Sequence, residues 1–360
     1  MPSSVVLAVT AHPDARGLPG SNVLQQLVNG AEAWALAIAL LGAFVGAAVW
    51  AVVKANGYGH GAVDVAAASL GAGATALCVA TVAEGLTLRD ELREARILVM
   101  GPTSTSREIV LAREARLELA VSSDELPEGV PVHLKLDTGM GRWGLAELPA
   151  PEPGVVGLMS HLASADSDPD FTAGQIARFR DATEPHRKLT RHIANSAATL
   201  RFPDARFDAV RCGIAIYGLS PFGGDPADDG LEPALVWHSQ LAAVRRLQIG
   251  ESTGYGRRFV AERPTWIGIV PVGYADGFRR DLTGTEVRVG GEPRRVVGTV
   301  SMDAFAVELE HELAAGTPVT LLGHGVLAEH HARVAGTINY ELVCGINSEP
   351  ERARRVVVDS

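Results

Sequence analysis

A lysine stands where an apolar, strand-like run meets a glycine-rich turn. Lys54 follows the run Val-Trp-Ala-Val-Val and precedes Ala-Asn-Gly-Tyr-Gly-His-Gly. A lysine seldom ends a buried strand unless its amine is used there, because burial penalises the charged ammonium group. An amine presented in this way could act as a nucleophile or as a base. On spacing alone, an equally ordinary interpretation is a lysine whose aliphatic part packs on the protein while its amine reaches water.

The first part of the chain alternates strand-like runs with helical patterns. Eight runs are candidate strands, at residues 49–54, 76–81, 96–100, 117–121, 132–136, 155–161, 192–195 and 209–216. Helical patterns lie between them, at residues 62–69, 82–92, 107–114 and 175–189. Runs that are apolar nearly throughout suit parallel strands covered on both faces. Eight such units predict an α/β fold that closes into a (β/α)8 barrel of the TIM type.

From about residue 235 the pattern changes. Strand-like runs separated by glycine and proline occupy residues 265–272, 286–289, 295–300, 305–309 and 318–322. Helical patterns are scarce there until residues 338–344. This pattern predicts a mainly β C-terminal domain, connected to the barrel by a loop at residues 219–230. We therefore expect a barrel domain at residues 1–234 and a mainly β domain at residues 235–360.

The fold rule for such barrels brings several reactive side chains together. Functional residues gather at the C-terminal ends of the strands, and the loops after strands seven and eight often hold phosphate. Applied to the eight runs, the rule places a lysine, a histidine, an arginine and hydroxyl or backbone donors on one face, namely Lys54, His161, Asn195, Ser196, Arg211, Gly213 and Ile214. The set predicts a site for a phosphate-bearing cofactor.

Composition narrows the possible partners. The formal net charge of -10 argues against nucleic acid or an anionic membrane as a partner. Cys78, Cys212 and Cys344 form neither a CxxC pair nor a metal-spaced set, which favours a reduced, cytoplasmic chain without a metal site. Residues 33–53 carry no charge and could span a bilayer by length. Because glycines interrupt this stretch and no basic residue flanks its start, we predict a buried helix, a turn and a buried strand.

Six ordered blocks resemble the alanine racemases, a family of fold-type III pyridoxal-phosphate enzymes. They are Val-Val-Lys-Ala-Asn-Gly-Tyr-Gly-His-Gly around Lys54, and residues 133–142, 160–166, 192–198, 210–218 and 272–277. The resemblance extends over most of the chain. It implies interconversion of L- and D-alanine with pyridoxal 5'-phosphate, which supplies D-alanine for peptidoglycan. It also implies a homodimer whose active sites are shared across the interface.

The resemblance implies a pair of bases. Lys54 would hold the cofactor as a Schiff base and then act as a base on one face of the substrate. Tyr274, supplied by the partner subunit, would act on the other face. A tyrosine has an ordinary pKa of about 10 and is a poor base unless cations lie nearby. The family pattern supplies them, because His161 is expected near both Tyr274 and Arg211, and Arg211 near the pyridine nitrogen.

The resemblance assigns further residues to the two ends of the bound molecules. Tyr58, Ser196 and the backbone amides of Gly213 and Ile214 would hold the phosphate, with Asn195 and His192 as support. Arg142 and the backbone amide of Met302, the latter from the partner subunit, would meet the substrate carboxylate. Lys135 is at a position that is carbamylated in some members and pairs with that arginine.

The chain departs from the family pattern in three places. Residues 31–44 are nearly all apolar where the family has an acidic strand and a helix with a His-Asn pair. Ser301 and Ala304 flank the Met-Asp pair in place of the usual cysteine and glutamine. A C-terminal tyrosine of the family, which reaches the phosphate, corresponds to Val357. We expect weaker cofactor retention or broader substrate use from that loss.

Three alternatives remain open on the sequence. A racemase of the same architecture could act on serine or other small amino acids. A barrel-type amino-acid decarboxylase would need a cysteine-containing loop to protonate its product, and none of the cysteines stands in an equivalent second-domain motif. A non-catalytic pyridoxal-phosphate carrier would be a single barrel, which the predicted β domain argues against.

Overall fold

The structure, a computed structural model of the chain, describes residues 25–30, 46–123, 125–349 and 352–358. Within these ranges the chain forms one closed barrel and one large, mainly antiparallel sheet. The predicted fold class, a β/α barrel followed by a mainly β part, is confirmed.

The barrel consists of eight parallel strands, and its last strand pairs with its first. The strands are β2 (Ala48–Val52), β3 (Ala76–Val79), β4 (Ile97–Val99), β5 (Glu118–Val121), β6 (Val132–Lys135), β7 (Val155–Met159), β8 (Thr190–His192) and β9 (Ala209–Cys212). The described helices between them are α1 (Ala62–Gly71), α2 (Val82–Glu91), α3 (Ser106–Glu114), α4 (Pro169–Thr183) and α5 (Ser196–Arg201). Nearly all strand residues are buried, as expected for a parallel sheet covered by helices.

Two of the element boundaries that differ from the prediction have clear local causes. The run at residues 209–216 is a strand only as far as Cys212, because Gly213 leaves the extended conformation and Ile214–Tyr217 forms a 3₁₀ helix. Helix α4 begins at Pro169, earlier than predicted. The Asp168 side chain accepts a hydrogen bond from the Phe171 amide there, which is a helix N-cap with proline at the first helical position.

The second sheet has nine strands, in the order β11-β14-β17-β16-β15-β18-β10-β1-β19. Its strands are β1 (Gln25–Gly30), β10 (Leu235–Gln240), β11 (Ala243–Leu247), β14 (Thr265–Val270), β15 (Glu286–Val289), β16 (Glu292–Val297), β17 (Phe305–Leu309), β18 (Pro318–Leu322) and β19 (Ala353–Val358). A separate hairpin pairs β12 (Ser252–Thr253) with β13 (Phe259–Val260). Helices α6 (Ala328–Ala335) and α7 (Asn339–Cys344) follow β18.

Strand β1 crosses the predicted division of the chain. It precedes the barrel in sequence, yet it pairs antiparallel with β10 and parallel with β19 in the second sheet. The predicted division at residues 1–234 and 235–360 instead places these residues with the barrel. The boundary at residues 234 and 235 itself stays a prediction.

The uncharged stretch at residues 33–53 is described only from Gly46. Its final part forms β2, the first barrel strand, in agreement with the predicted buried strand. The predicted helix at residues 31–44 lies outside the described residues. Among the helices that the structure describes, none has both the length and the apolar character needed to cross a bilayer.

Candidate active site

A cavity of about 430 Å³ opens at the C-terminal ends of the barrel strands. This volume falls within the range of small-molecule sites, roughly 300–1,000 Å³. All eight residues predicted to contact the cofactor line it, namely Lys54, Tyr58, His161, Asn195, Ser196, Arg211, Gly213 and Ile214. The structure therefore brings together side chains from both ends of the barrel sequence.

The chain turns sharply immediately after β2. Lys54 begins a short helical turn in which Ala55, Asn56, Gly57 and Tyr58 all have φ between 51° and 61°. Left-handed backbone costs roughly 1–2 kcal/mol per residue that is not glycine. Conformations of this kind persist only where surrounding contacts impose them, and they concentrate at functional sites.

Side chains from distant elements hold this left-handed turn. Glu84, in the first turn of α2, accepts hydrogen bonds from the backbone amides of Ala55 at 2.8 Å and Ala80 at 2.7 Å. The Asn56 side chain accepts from the amide of Ala62 at 3.0 Å and donates to Ser348 Oγ at 3.2 Å. These contacts fix where the turn leaves β2, and thus where the Lys54 amine enters the cavity.

The Lys54 amine lies in surroundings that disfavour its protonated form. Burial is the largest effect lowering the pKa of the Lys54 ammonium group, and the positive charge of Arg142 lowers that pKa further. A larger fraction of this amine is neutral near pH 7 than for an exposed lysine. A neutral amine is the form that can attack a carbonyl or accept a proton.

Arg211 brings a permanent positive charge to the same cavity. Its guanidinium is 2% exposed and donates to the Ser160 carbonyl at 2.7 Å, the His192 carbonyl at 3.0 Å and the Ile193 carbonyl at 3.2 Å. Burial lowers the pKa of Arg211 to about 10, so the group remains charged at neutral pH.

His161 is joined to Arg211 in the cavity wall. Its Nδ1 lies 3.2 Å from Nη2 of Arg211. Burial and the charge of Arg211 lower the pKa of His161 well below its ordinary value, so the imidazole is neutral. The arginine can only donate, so Nδ1 accepts and the imidazole proton lies on Nε2.

Hydroxyl groups and backbone amides line the other end of the cavity. Ser196 Oγ accepts hydrogen bonds from the amides of Gly213 at 2.9 Å and Ala215 at 3.3 Å, which leaves its own hydrogen available to a ligand. The Tyr58 ring stacks on Tyr217, with centroids 4.8 Å apart, and its hydroxyl lies directly against Gly213. These donors fit a phosphate ester, while the amine and guanidinium fit an aldehyde and a ring nitrogen. The residues present therefore suit pyridoxal phosphate.

The close approach of Tyr58 to Gly213 allows a direct test. A Cβ atom at residue 213 would overlap the Tyr58 hydroxyl. We expect Gly213→Ala to displace that hydroxyl and to weaken pyridoxal-phosphate affinity at least tenfold in a fluorescence titration. Gly224→Ala is the matched control, because a Cβ there would meet no atom within 4 Å. Unchanged affinity in the Gly213 variant would contradict this placement of the phosphate donors.

Lys135 and Arg142 share one aromatic ring beside the cavity. The Lys135 amine lies 4.5 Å and the Arg142 guanidinium carbon 4.0 Å from the centroid of Trp143. Burial and then Arg142 lower the pKa of Lys135 to about 8. An amine with this pKa is substantially neutral in mildly alkaline solution, as carbamylation requires. Neither residue is among those lining the cavity, although the charge of Arg142 reaches Lys54.

The lowered pKa of Lys135 predicts a pH-dependent stability difference. Between about pH 8 and the ordinary lysine value of about 10.4, the unfolded chain holds more protons than the folded one, so stability rises with pH. Below about pH 8 the Lys135 amine is charged in both the folded and the unfolded chain, so the full cost of burying this charge lowers the stability of the fold. We expect Lys135→Met to raise the free energy of unfolding at pH 7 by on the order of 1–3 kcal/mol, and the gain to shrink by pH 10. Urea denaturation in bicarbonate-free buffer measures this, and a less stable variant at pH 7 would contradict it.

Two further predicted site residues, like Lys135 and Arg142, are not among those lining the cavity. Tyr274 and Met302 belong to the second part of the chain and are 43% and 52% exposed. Their segments are packed together, because the amide of Tyr274 donates to the Ser301 carbonyl at 3.1 Å and that of Ala275 to the Met302 carbonyl at 3.0 Å. His161 is joined to Arg211, and its proximity to Tyr274 of a second copy stays a prediction.

Comparison with known families identifies the chain. The family model described as "Alanine racemase, N-terminal domain" matches residues 32–221, and "Alanine racemase, C-terminal domain" matches residues 234–356. The chain belongs to the alanine racemase family.

Individual members of the family are similar along most of their length. The alanine racemase of Geobacillus stearothermophilus is 41% identical over 335 residues, covering 83% of this chain and 84% of the relative. Alanine racemase 1 of Bacillus subtilis is 40% identical over 332 residues, covering 84% and 85%. The crystal structure of the biosynthetic alanine racemase from Pseudomonas aeruginosa superposes with a TM-score of 0.86 at 36% identity, covering 94% of this chain and all of the other.

Several cavity residues of this racemase-family chain were missed by the sequence analysis. Ile338, Tyr340, Glu341 and Cys344 line the cavity from helix α7 and the residue before it, and Met100 lines it from the end of β4. Tyr340 also contacts the Tyr58 ring at a centroid distance of 6.1 Å. The helical pattern at residues 338–344 was recognised, but nothing in it signalled that the helix returns to the barrel.

The expectation attached to Val357 is corrected by the structure. Val357 lies in β19, pairs with Asn29 and is 38% exposed, and it is not among the residues that line the cavity. Its replacement of a tyrosine therefore gives no reason for weaker cofactor retention. Among the described residues, the C-terminal aromatic side chain that lines the cavity is Tyr340.

Proposed function

We propose that this protein interconverts L- and D-alanine with pyridoxal phosphate bound in the cavity, using one base on each face of the substrate. The observation that carries the proposal is the shared cavity of Lys54 and Arg211, with hydroxyl and amide donors at its other end. When bound there, pyridoxal phosphate withdraws the electron pair left on the α-carbon after proton removal. The chain supplies the groups that hold the cofactor and move the proton.

Lys54 is the group we assign to covalent attachment of the cofactor and to proton transfer on one face. Its lowered pKa suits both tasks, because each requires the neutral amine. Arg211 would meet the ring nitrogen, where a fixed guanidinium charge disfavours a second positive charge. Tyr58, Ser196 and the amide of Ile214 would hold the phosphate. The Gly213 amide instead donates its hydrogen bond to Ser196 Oγ and so supports that hydroxyl.

A base on the opposite face is needed, and we assign it to a tyrosine of a second copy of the chain. Tyr274 was predicted from the sequence and remains a candidate. Tyr255 is a second candidate that the sequence analysis passed over. Both stand on the second part of the chain, and neither lines the cavity of its own chain. A homodimer that shares its active sites would supply either ring.

Three observations favour Tyr255. Its side chain is 73% exposed, compared with 43% for Tyr274. This matters because a side chain that enters the active site of another subunit must project from the surface of the subunit that carries it. Tyr255 lies between Gly254 and Gly256, whose φ angles of 77° and 73° form a tight turn that presents the ring. Its carbonyl accepts a hydrogen bond from Thr299 Oγ1 at 2.9 Å. This bond holds the turn against a segment that leads, a few residues later, to Met302.

The substrate carboxylate is assigned to Arg142 and to the backbone amide of Met302 from the second copy. Arg142 is exposed, its guanidinium carbon lies 4.0 Å from the centroid of the Trp143 ring, and its charge acts on Lys54. A guanidinium binds a carboxylate through two parallel hydrogen bonds, which orients the α-carbon towards both bases. We place this activity in the cytoplasm, supplying D-alanine for peptidoglycan.

One assay tests the function. The purified chain is incubated with pyridoxal phosphate and L-alanine, and the enantiomers are separated by chiral chromatography. We expect D-alanine to accumulate until the two enantiomers are equal, and L-serine to react more slowly. Release of carbon dioxide would identify a decarboxylase, and unchanged L-alanine would exclude racemisation.

A further inference from the structure

A chain of hydrogen bonds between side chains crosses the barrel interior and ends at Arg211. It runs from Glu118 through His133 and His192, and is called the file below. Glu118 Oε2 lies 2.8 Å from His133 Nε2, and His133 Nδ1 lies 2.8 Å from His192 Nε2. His192 Nδ1 lies 2.6 Å from Arg211 Nη1. At the outer end, Arg96 Nε donates to the other Glu118 oxygen at 2.8 Å. The file joins the side of the barrel to the proposed cofactor site.

The barrel leaves space for this file at one position. Strand β7 lies between β6 and β8 and carries Gly157 opposite His133. A Cβ atom on residue 157 would overlap the His133 ring. The imidazoles of β6 and β8 can therefore meet because the intervening strand presents no side chain there.

The two ends of the file determine its direction. Arg211 carries only donors, so His192 Nδ1 must accept and the His192 proton lies on Nε2. That proton is donated to His133 Nδ1, so the His133 proton lies on Nε2 and is donated to Glu118. An ionised carboxylate can only accept, and it completes the file with every donor facing an acceptor.

Burial keeps both imidazoles in the neutral form that this arrangement needs. His133 and His192 are fully buried, and burial lowers the pKa of each below its ordinary value. Burial opposes ionisation of Glu118, but the hydrogen bonds from His133 and Arg96 outweigh it and lower the pKa of the carboxyl group. Each imidazole therefore has one N–H group, whose location is decided by its neighbours.

We propose that Glu118 is a positioning residue for the active site: through His133 and His192 it selects the tautomer that lets His192 accept a hydrogen bond from Arg211. In the reversed tautomer, an N–H of His192 would face an N–H of Arg211 across 2.6 Å. The guanidinium would have to withdraw from that nitrogen and from the place where it meets the cofactor ring. The expected effect on catalysis rests on the proposed function, whereas the predicted tautomers do not depend on that function.

Glu118→Gln tests the proposal with little change in shape. The glutamine amide can turn its NH₂ group towards His133 and so stabilise the reversed file. Nitrogen-15 NMR of the histidine rings in the cofactor-free protein reports the protonated nitrogen directly. We expect Nε2–H on His133 and His192 in the unsubstituted protein, and a substantial population of Nδ1–H in the variant. We expect the turnover rate for L-alanine to fall about tenfold or more, with KM changed less than threefold.

Glu94→Gln is the matched control. It removes the same charge from the same barrel, but Glu94 pairs with Arg116 at the surface and does not contact the file. We expect tautomers and turnover like those of the unsubstituted protein. Wild-type tautomers and turnover in Glu118→Gln would overturn the proposal. An Nδ1–H signal for either histidine in the unsubstituted protein would overturn it without any variant. Correct tautomers in a protein that does not racemise alanine would refute the proposed function alone.

Discussion

Replacing Lys54 by alanine is expected to reduce alanine racemisation by a factor of roughly 10⁴ or more. The change removes both the covalent attachment point of the cofactor and one of the two bases, and loss of such a group typically has effects of this size. Chiral chromatography of alanine measures the rate. The absorbance of cofactor bound to the washed protein measures the attachment, and we expect it to be lost.

The structure predicts that this variant still folds. The Lys54 ammonium is destabilised by burial and by Arg142, so its removal relieves an unfavourable interaction. The turn after β2 is held by Glu84 and Asn56, neither of which depends on the lysine side chain. Thermal denaturation without cofactor should therefore give a melting temperature close to that of the unsubstituted protein.

Lys188→Ala is the matched control for the lysine prediction. Lys188 is exposed and lies before β8, away from the cavity-lining residues. We expect unchanged racemisation and unchanged bound cofactor. Racemisation that survives in Lys54→Ala at more than a tenth of the normal rate would assign attachment to another amine.

The second large effect is expected in Tyr255→Phe. Loss of a general base typically lowers a rate by 10²–10⁴, and we expect racemisation to fall by this factor in both directions. Tyr274→Phe, the matched variant in the same part of the chain, should lower the racemisation rate less than tenfold. Cofactor absorbance should persist in both, because neither tyrosine lines the cavity of its own chain.

Exchange of the alanine α-proton with solvent distinguishes the two bases more clearly than the overall rate of racemisation does. In deuterium oxide, a variant that retains only Lys54 should still exchange the α-proton of one enantiomer, without producing the other. NMR of recovered alanine shows this directly. Exchange without racemisation in Tyr274→Phe, together with full racemisation in Tyr255→Phe, would restore Tyr274 as the second base.

The barrel and most of its site could be predicted from the sequence because the signals are local. Apolar runs such as residues 49–53 and 76–80 mark parallel strands, and in such barrels the C-terminal ends of the strands lie on one face. Lys54, His161 and Arg211 each follow or belong to such a run. That these three residues meet in one cavity can therefore be predicted without knowing any long-range contact.

The features that escaped prediction depend on contacts between distant residues. Nothing local in Lys54–Tyr58 favours three left-handed residues other than glycine; that conformation is imposed by Glu84 and by hydrogen bonds of Asn56. The return of Tyr340 and Cys344 to the cavity depends on how the second part of the chain packs against the barrel. Val357 was misassigned for the same reason, because motif spacing near the C-terminus does not show which side chain reaches the site.

The proposed function is tested most directly by finding which amine carries the cofactor. The protein is loaded with pyridoxal phosphate, reduced with borohydride to make the linkage permanent, digested, and mapped by mass spectrometry. We expect one modified residue, Lys54, in stoichiometric amount. Modification of Lys135 or Lys188 instead, or of no lysine in a protein that racemises alanine, would contradict it.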